Sequence, residues 1–363
     1  MGSVLAYMTA RKERRYEVYY RDDQHVAHHK RGFRTKKEAR AYLAANEVAV
    51  ENGTYVDPGA GRVTISVIGT KWIEGHKAIW KPSYLRSVET SWKVHVEPQW
   101  GERSLKSIRH SEIQTWVSAM SQRRSATVVL RAYGIMKGIY DMAVEDRLIA
   151  NAPTSKIQLP RKKPRGRVSL TPRQLLDLAD ASGRYRALVL LLGFCGLRWG
   201  EATGLLVRDV DLENKRISVG RSATWVGSEV RTGTPKSNAL RQVGMPNLVA
   251  DALRKQAKGK NPDDLLFPSE SGGYLRQQSA AKGHRGWFAT AVERSGVPVL
   301  RIHDLRHTAA SIAISSGASP KYVQRMLGHK YASTTLDTYA DLYDSDVDRV
   351  AESVDRFIAK DVS

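Results

Sequence analysis

Between Arg14 and Arg21 the chain alternates side by side: Tyr16, Val18 and Tyr20 fall on one face, Arg15, Tyr19 and Arg21 on the other. That period of two predicts a half-buried strand. A second basic strand is expected over residues 24–33. Thr35 followed by Glu38 has the spacing of a capping box, so a helix should open there and run to about Asn52, with Gly53 ending it. Residues 54–65, which hold Asp57-Pro-Gly and Gly61, read as a flexible connection. Helical patterning then dominates 66–153, with segments at 83–96, 111–120 and 125–147 and a closing turn at 146–153. Beyond Leu170 a helix should begin near Pro172, capped by Ser169 or Thr171. Residues 187–196 are apolar on every side and predict a buried helix. Strand-like stretches follow at 215–219, 223–226 and 241–245, with a turn-rich 233–237 before the last. The pattern is helical from there to the end, and Val347, Val350, Ala351, Val354, Phe357 and Ile358 form an apolar stripe at helical spacing. No internal repeat is visible.

The class is therefore multidomain α+β: a small sheet with one helix, an all-helical middle, and a mostly helical C-terminal part with a small antiparallel sheet. A length of 363 residues suits two or three domains, and 41% hydrophobic residues are enough for real cores. The net charge of +21 changes the picture, because a charge of that size speaks about partners, and the obvious polyanion is nucleic acid. A membrane-surface role finds no polybasic amphipathic helix to support it, and the apolar run 187–197 is too short to span a bilayer. Ala6 stands where a myristoylation signal needs a hydroxyl. With no secretory signal in view, the expected location is cytoplasmic. The single cysteine, Cys195, allows neither an intrachain disulfide nor a thiolate metal cluster, and its apolar setting makes it a core thiol.

The candidate chemistry lies in separated segments. Near the C-terminus stand His303-Asp-Leu-Arg306-His, Leu-Gly-His329 and Thr334-Thr-Leu-Asp-Thr-Tyr339; upstream are Gly196-Leu-Arg198-Trp-Gly-Glu201 and Thr234-Pro-Lys236. Guanidinium forks suit the non-bridging oxygens of a phosphodiester, since they donate paired bonds and keep their charge. Arg198 and Arg306 fit that task. His303, one helical turn before Arg306, can accept a proton or bond phosphate. Glu201 fits as a partner that orients Arg198. A tyrosine hydroxyl has a pKa near ~10, so it needs cations or a base nearby to act as a nucleophile. A histidine-based metal site is not expected, because no carboxylate cluster accompanies the histidines and Asp304 would point away from His303.

In this order and spacing the set resembles the tyrosine recombinase (phage integrase) family, closely over the C-terminal half and more loosely before it. The resemblance implies a nucleophile after a Thr-Thr pair and about ten residues beyond the Gly-His, which selects Tyr339 over Tyr331 and Tyr343. It also implies a phosphate-donor role for His329 and a leaving-group acid at Lys236. Arg231 and Arg241 are alternatives in that turn. No cofactor, metal or nucleotide is implied, because a phosphotyrosine stores the bond energy.

The same resemblance divides the chain into an arm-type DNA-binding domain (1–60), a helical core-binding domain (66–158), a basic linker (159–168) and a catalytic domain (169–363) ending in a protomer-linking helix. The implied partners are double-stranded DNA at arm-type and core-type sites and a homotetramer on DNA, with a bending host factor and an excision factor as companions. DNA-contact candidates are Arg15, Tyr19, Arg21, Lys30 and Arg34 in the first domain, Lys93, Arg131 and Lys137 in the second, and Arg161, Lys162, Lys163 and Arg165 in the linker, where the charges favour a path along a phosphate backbone. The activity implied is site-specific recombination through a 3′-phosphotyrosine. A chromosome-resolving recombinase, a type IB topoisomerase-like relaxing enzyme and an architectural DNA-binding protein of the same fold are the rivals.

Overall fold

A computed structural model describes residues 2–163, 166–234, 240–280, 285–343, 354–355 and 358–359, apart from the side chains of Asp341 and Tyr343. The chain divides into two units, Met1–Lys163 and Pro164–Ser363.

In the first unit, β1 (Ser3–Met8), β2 (Arg14–Arg21) and β3 (Ala27–Phe33) form an antiparallel sheet with β2 in the centre, and α1 (Lys36–Glu51) covers one face. Val18 and Tyr20 point into that face beside Ala39 and Tyr55, as the alternation requires. The capping box forms, with the Thr35 hydroxyl accepting from Glu38 N at 3.1 Å. Two details differ from expectation. Strand β1 carries no clean alternation and was not foreseen. Strand β3 starts at Ala27 rather than at residue 24, because Asp22 Oδ1 takes the backbone N–H groups of Gln24 (2.9 Å) and Val26 (2.8 Å) into a turn, with His25 left-handed at φ 62°.

A helical group follows: α2 (Ile65–His76), α3 (Pro82–Ser91), α4 (Glu97–Trp100), α5 (His110–Arg123) and α6 (Ala126–Glu145). Its core holds Ile65, Trp92, Trp100, Ile113, Ile139 and Tyr140, and each large apolar side chain buried there contributes roughly 1.5–3 kcal/mol. The expected single helix at 83–96 is broken. It ends at Ser91 and widens into a π turn over Trp92–Val96, which turns Trp92 and Val96 inward. Helix α6 stops at Glu145, two residues early, because Arg147 is left-handed at φ 54°. The Tyr133 hydroxyl donates to Thr154 O at 2.7 Å and fastens the segment after α6 to the helix.

In the second unit, α7 (Pro172–Ala181) is capped by Thr171, whose hydroxyl accepts from Gln174 N, with Pro172 at the first helical position. Helix α8 (Arg186–Cys195) is apolar all round because α7 packs against it on one side and α10 and α12 on others. Cys195 sits wholly inside that core, where burial pushes its thiol up to about 12. Next come α9 (Trp199–Thr203), a sheet of β4 (Val210–Asp211), β5 (Arg216–Val219) and β8 (Arg241–Gly244), and between the last two a hairpin of β6 (Ser222–Val226) and β7 (Glu229–Gly233). Strand β7 was not expected. It is largely exposed, and Val230 is its one large apolar residue.

Helices α10 (Asn247–Ala257), α11 (Trp287–Ser295), α12 (Asp304–Ser315), α13 (Pro320–Leu327) and α14 (Ala332–Tyr343) complete the unit. Of the apolar stripe expected near the end, Val347, Val350, Ala351 and Phe357 lie outside the described residues; Val354 and Ile358 are helical and exposed. Among the described residues no helix is long and apolar enough to cross a membrane.

Candidate active site

Two glycines set the backbone that the site is built on. Gly196 ends α8 and Gly328 ends α13, both left-handed, at φ 68° and 65°. A side chain at either position would be strained, and a Cβ on Gly328 would also come within 2.9 Å of the Arg241 guanidinium.

The last carbonyls of α13 are shared among three arginines. Met326 O accepts from Arg241 Nε at 3.2 Å, Leu327 O accepts from Arg306 Nη2, and Gly328 O accepts from Arg198 Nη2 at 3.2 Å. Such carbonyls lack helical partners and lie at the negative end of the helix dipole, so cations are stabilised there. Arg306 also donates to Gly196 O at 2.5 Å. Arg198 and Arg306, distant in sequence, are thus brought to one place.

Glu201 stands behind them with none of its surface exposed. Its carboxylate accepts from Arg198 Nη1 (2.8 Å) and in two-point fashion from Arg241 (3.1 and 2.7 Å), and it also caps α9 through Arg198 N (2.9 Å). Burial works to raise its pKa, yet the bonds and charge of Arg241 and Arg198 hold it below the usual range. Arg306 is held below its ordinary value by burial and then by Arg198. Three guanidinium groups facing one carboxylate leave a net positive locus suited to an anion.

Around this locus stand three histidines and the tyrosine. His303 precedes α12 and lines a cleft of about 510 Å³ together with Arg198, Trp199, Trp225 and Arg276. Arg276 lies 3.8 Å over the Trp225 ring. His329 follows Gly328, and its Nδ1 is hydrogen-bonded to Thr335 Oγ1 at 2.8 Å. Burial and the neighbouring Arg306 lower its pKa to about 4. Tyr339 is 4% exposed and sits at a kink in α14, with φ −131° and ψ 18°. Its hydroxyl is 2.8 Å from His307 Nδ1. The Arg167 guanidinium lies 5.9 Å from the centre of its ring and donates to Thr338 O. Burial raises the phenol's pKa, while Arg306 and Arg167 pull against that rise.

Arg198, His303, Arg306, His329 and Tyr339 therefore gather as one cluster. Lys236 lies outside the described residues. Tyr331 is 59% exposed with Lys330 over its ring. Of the two alternatives in that turn, Arg231 is exposed and paired with Glu229, and Arg241 is bonded to Glu201. Asp304 is engaged by Arg301 at 2.7 Å.

Of the DNA-contact candidates, Arg15, Tyr19 and Arg21 share the uncovered face of the first sheet. Glu17 lies at its centre, ion-paired with Arg31 (2.8 Å) and hydrogen-bonded to His29 (3.1 Å), and Tyr19 stacks on His29. Lys30 is on the opposite side, its ammonium 4.3 Å from the centre of the Tyr42 ring, and Arg34 lies in the loop before α1. On α6, Arg131 and Lys137 are six positions apart, hence about 120° around the axis, and Lys137 is paired with Asp141 at 2.5 Å. Lys93 is exposed in the π turn, and Arg161, Lys162 and Lys163 are exposed; Arg165 lies outside the described residues.

Sequence reasoning missed His307 and Arg167 and gave Arg241 no structural part. His307 was visible as the residue after Arg306, but no spacing rule says which of two histidines on one helix turn reaches a tyrosine on another helix.

Residues 170–346 match the phage integrase family and residues 65–159 the phage integrase central domain. The chain is 28% identical over 310 residues to the integrase of Mycobacterium phage L5, covering 81% of each protein. Its fold is similar to that of the Tn1549 transposon integrase solved with a circular intermediate DNA (TM-score 0.67, 22% identity, 79% of this chain and 99% of that one). It is also similar to the lambda integrase dimer bound to a core site (TM-score 0.58, 16% identity, 91% and 93%).

Proposed function

Because this chain belongs to the tyrosine recombinase (phage integrase) family, whose members cut and rejoin DNA strands, we propose that it is an integrase-type recombinase acting through a phosphotyrosine at Tyr339. The carrying observation is the buried Tyr339, whose hydroxyl feels the charge of Arg306, in a cluster that draws on α8, α9, α12, α13 and α14. Arg198 and Arg306 bind the scissile phosphate and stabilise the charge that builds on its non-bridging oxygens; one well-placed donor of this kind contributes about 3–4 kcal/mol. His303 and His329 add hydrogen bonds to the same phosphate. Lys236 delivers a proton to the departing 5′ oxygen, worth roughly 10²–10⁴ in rate. Glu201 and Arg241 hold Arg198 in place.

The substrate is double-stranded DNA, cut one strand at a time within a tetramer and joined to a new partner. The helical middle and the basic linker 159–168 grip the core site. The uncovered face of the N-terminal sheet, with Arg15, Tyr19, Arg21 and Arg31, binds a second, arm-type site. The complexes of the similar Tn1549 and lambda integrases with DNA support this reading. So does the formal charge of +21.

The test is covalent trapping on nicked duplexes, without metal or nucleotide. A protein–DNA adduct that survives denaturation, disappears with Tyr339→Phe and persists with Tyr331→Phe is the expected result. Adducts that persist with Tyr339→Phe would contradict the assignment.

A further inference from the structure

We infer that His307, rather than His303, takes the phenol proton from Tyr339 as that oxygen attacks phosphorus. The inference rests on Tyr339 being the nucleophile. Its basis is geometric: His307 Nδ1 is 2.8 Å from the Tyr339 hydroxyl, within the reach required of a general base. His303 lines the cleft with Arg198 and Trp225, its ring centre 5.4 Å from that of His307. His329 has its Nδ1 committed to Thr335. Among the described residues, the acid–base side chain hydrogen-bonded to the tyrosine oxygen is His307.

The protonation state agrees. Burial, then the adjacent His303, lowers His307 to about 4, so the ring is neutral at neutral pH and Nδ1 can accept when Nε2 carries the hydrogen. The charged groups facing it are His303, Asp304 and Arg306 on its own helix segment, Arg167 from the chain before α7, and Tyr339 from α14. Asp304 favours the imidazolium; the two arginines oppose it. An incoming phosphate adds negative charge to this locus and raises the ring's basicity at the stage when it must accept the proton.

The step balances. The Oη–H bond of Tyr339 breaks, its proton passes to His307 Nδ1, and the Oη–P bond forms. The P–O5′ bond breaks with its electron pair on the 5′ oxygen, which takes a proton from the general acid, Lys236 in the proposed function. In rejoining, a 5′ hydroxyl returns its proton to the group that had served as general acid and attacks phosphorus, the P–Oη bond breaks with its electron pair on the phenol oxygen, and that phenolate recovers its proton from His307.

The experiment measures single-turnover cleavage by the full chain on a nicked duplex carrying a core site, selected from a randomised pool by wild-type adduct formation. Variants are His307→Ala, His307→Asn and Tyr339→Phe, each checked for folding by circular dichroism and for duplex binding. Asparagine keeps an acceptor near the Nδ1 position but cannot take a proton. Both His307 variants are expected to cleave about 10²-fold or more slowly than wild type. Their rates should rise with pH above neutrality, where the wild-type rate is flat. A substrate with sulfur in place of the bridging 5′ oxygen needs no leaving-group acid, so it should fail to rescue them. If the alanine variant does not fold, the asparagine variant carries the comparison.

The inference is overturned if His307→Asn cleaves like wild type, which leaves a positioning role only, or if the sulfur substrate restores either variant. Normal adducts from Tyr339→Phe would instead overturn the underlying reading of the nucleophile.

Discussion

Glu201 and Arg241, forty positions apart, meet in a two-point ion pair beneath the cluster that Arg198 and Arg306 complete. The pair is almost sealed from solvent, the Arg241 side chain 9% exposed and that of Glu201 not at all. Glu201→Ala strands two guanidinium groups in low dielectric. Removing one partner of a buried ion pair costs about 3–5 kcal/mol. Urea unfolding should show a loss of that size, with Glu201→Gln retaining part of it, and cleavage should fall because Arg198 loses its brace. An alanine variant of unchanged midpoint would show that the pair is dispensable.

Gly328 is a second structural dependence. Gly328→Ala forces a left-handed residue to carry a Cβ, at about 1–2 kcal/mol, and pushes that Cβ against the Arg241 guanidinium. Thermal melting should register the strain, and cleavage should drop by more than the unfolded fraction explains. Equal losses in both measurements would mean that Arg241 has no bearing on the reaction.

Arg306→Lys keeps the charge but gives up the fork that reaches Gly196 O and Leu327 O. Cleavage is expected to fall by ~10²–10³ while duplex binding changes little, since one donor to a developing oxyanion has that weight. A proportionate loss of binding would assign Arg306 to uniform phosphate contact.

Acid should destabilise the second unit before any carboxylate titrates. His307 and His329 both stand near about 4 in the folded state, against 6.5 ordinarily. Between those values the unfolded chain binds protons that the folded rings refuse, so stability falls as pH drops through that window. Asp304, held below its ordinary value of 3.8 by Arg301 against the pull of burial, adds a loss below that value. Melting temperature should therefore decline from pH about 6.5 downward, and less steeply in His329→Gln. A flat profile to pH about 4.5 would contradict the depressed histidines.

On the N-terminal sheet, Arg21→Ala should weaken binding to arm-type DNA and lower the salt slope by about 1, with cleavage at the core site unchanged. Loss of core cleavage would remove the distinction between two DNA sites.

Much of this was legible in the sequence where local rules act alone. The Thr35–Glu38 box, Pro172 at a first helical position, the alternation of β2 and the all-round apolar α8 each carry their own signal. Strands β1 and β7 gave none, because their partners and not their patterns make them strands; β7 has few apolar residues and little burial. The π turn after Ser91 follows from packing Trp92 and Val96 inward, which no periodicity encodes. In the site, the residue types and order were readable, whereas His307 and the carbonyls at the end of α13 emerge only when α12, α13 and α14 are brought together.

The most direct test of the central claim is to digest the covalent adduct formed on a nicked core duplex and weigh the peptide that carries the nucleotide. The expected peptide contains Tyr339, with the mass of a 3′-phosphonucleotide ester on that tyrosine. Modification at Tyr331, Tyr343 or any residue other than Tyr339 would contradict the account.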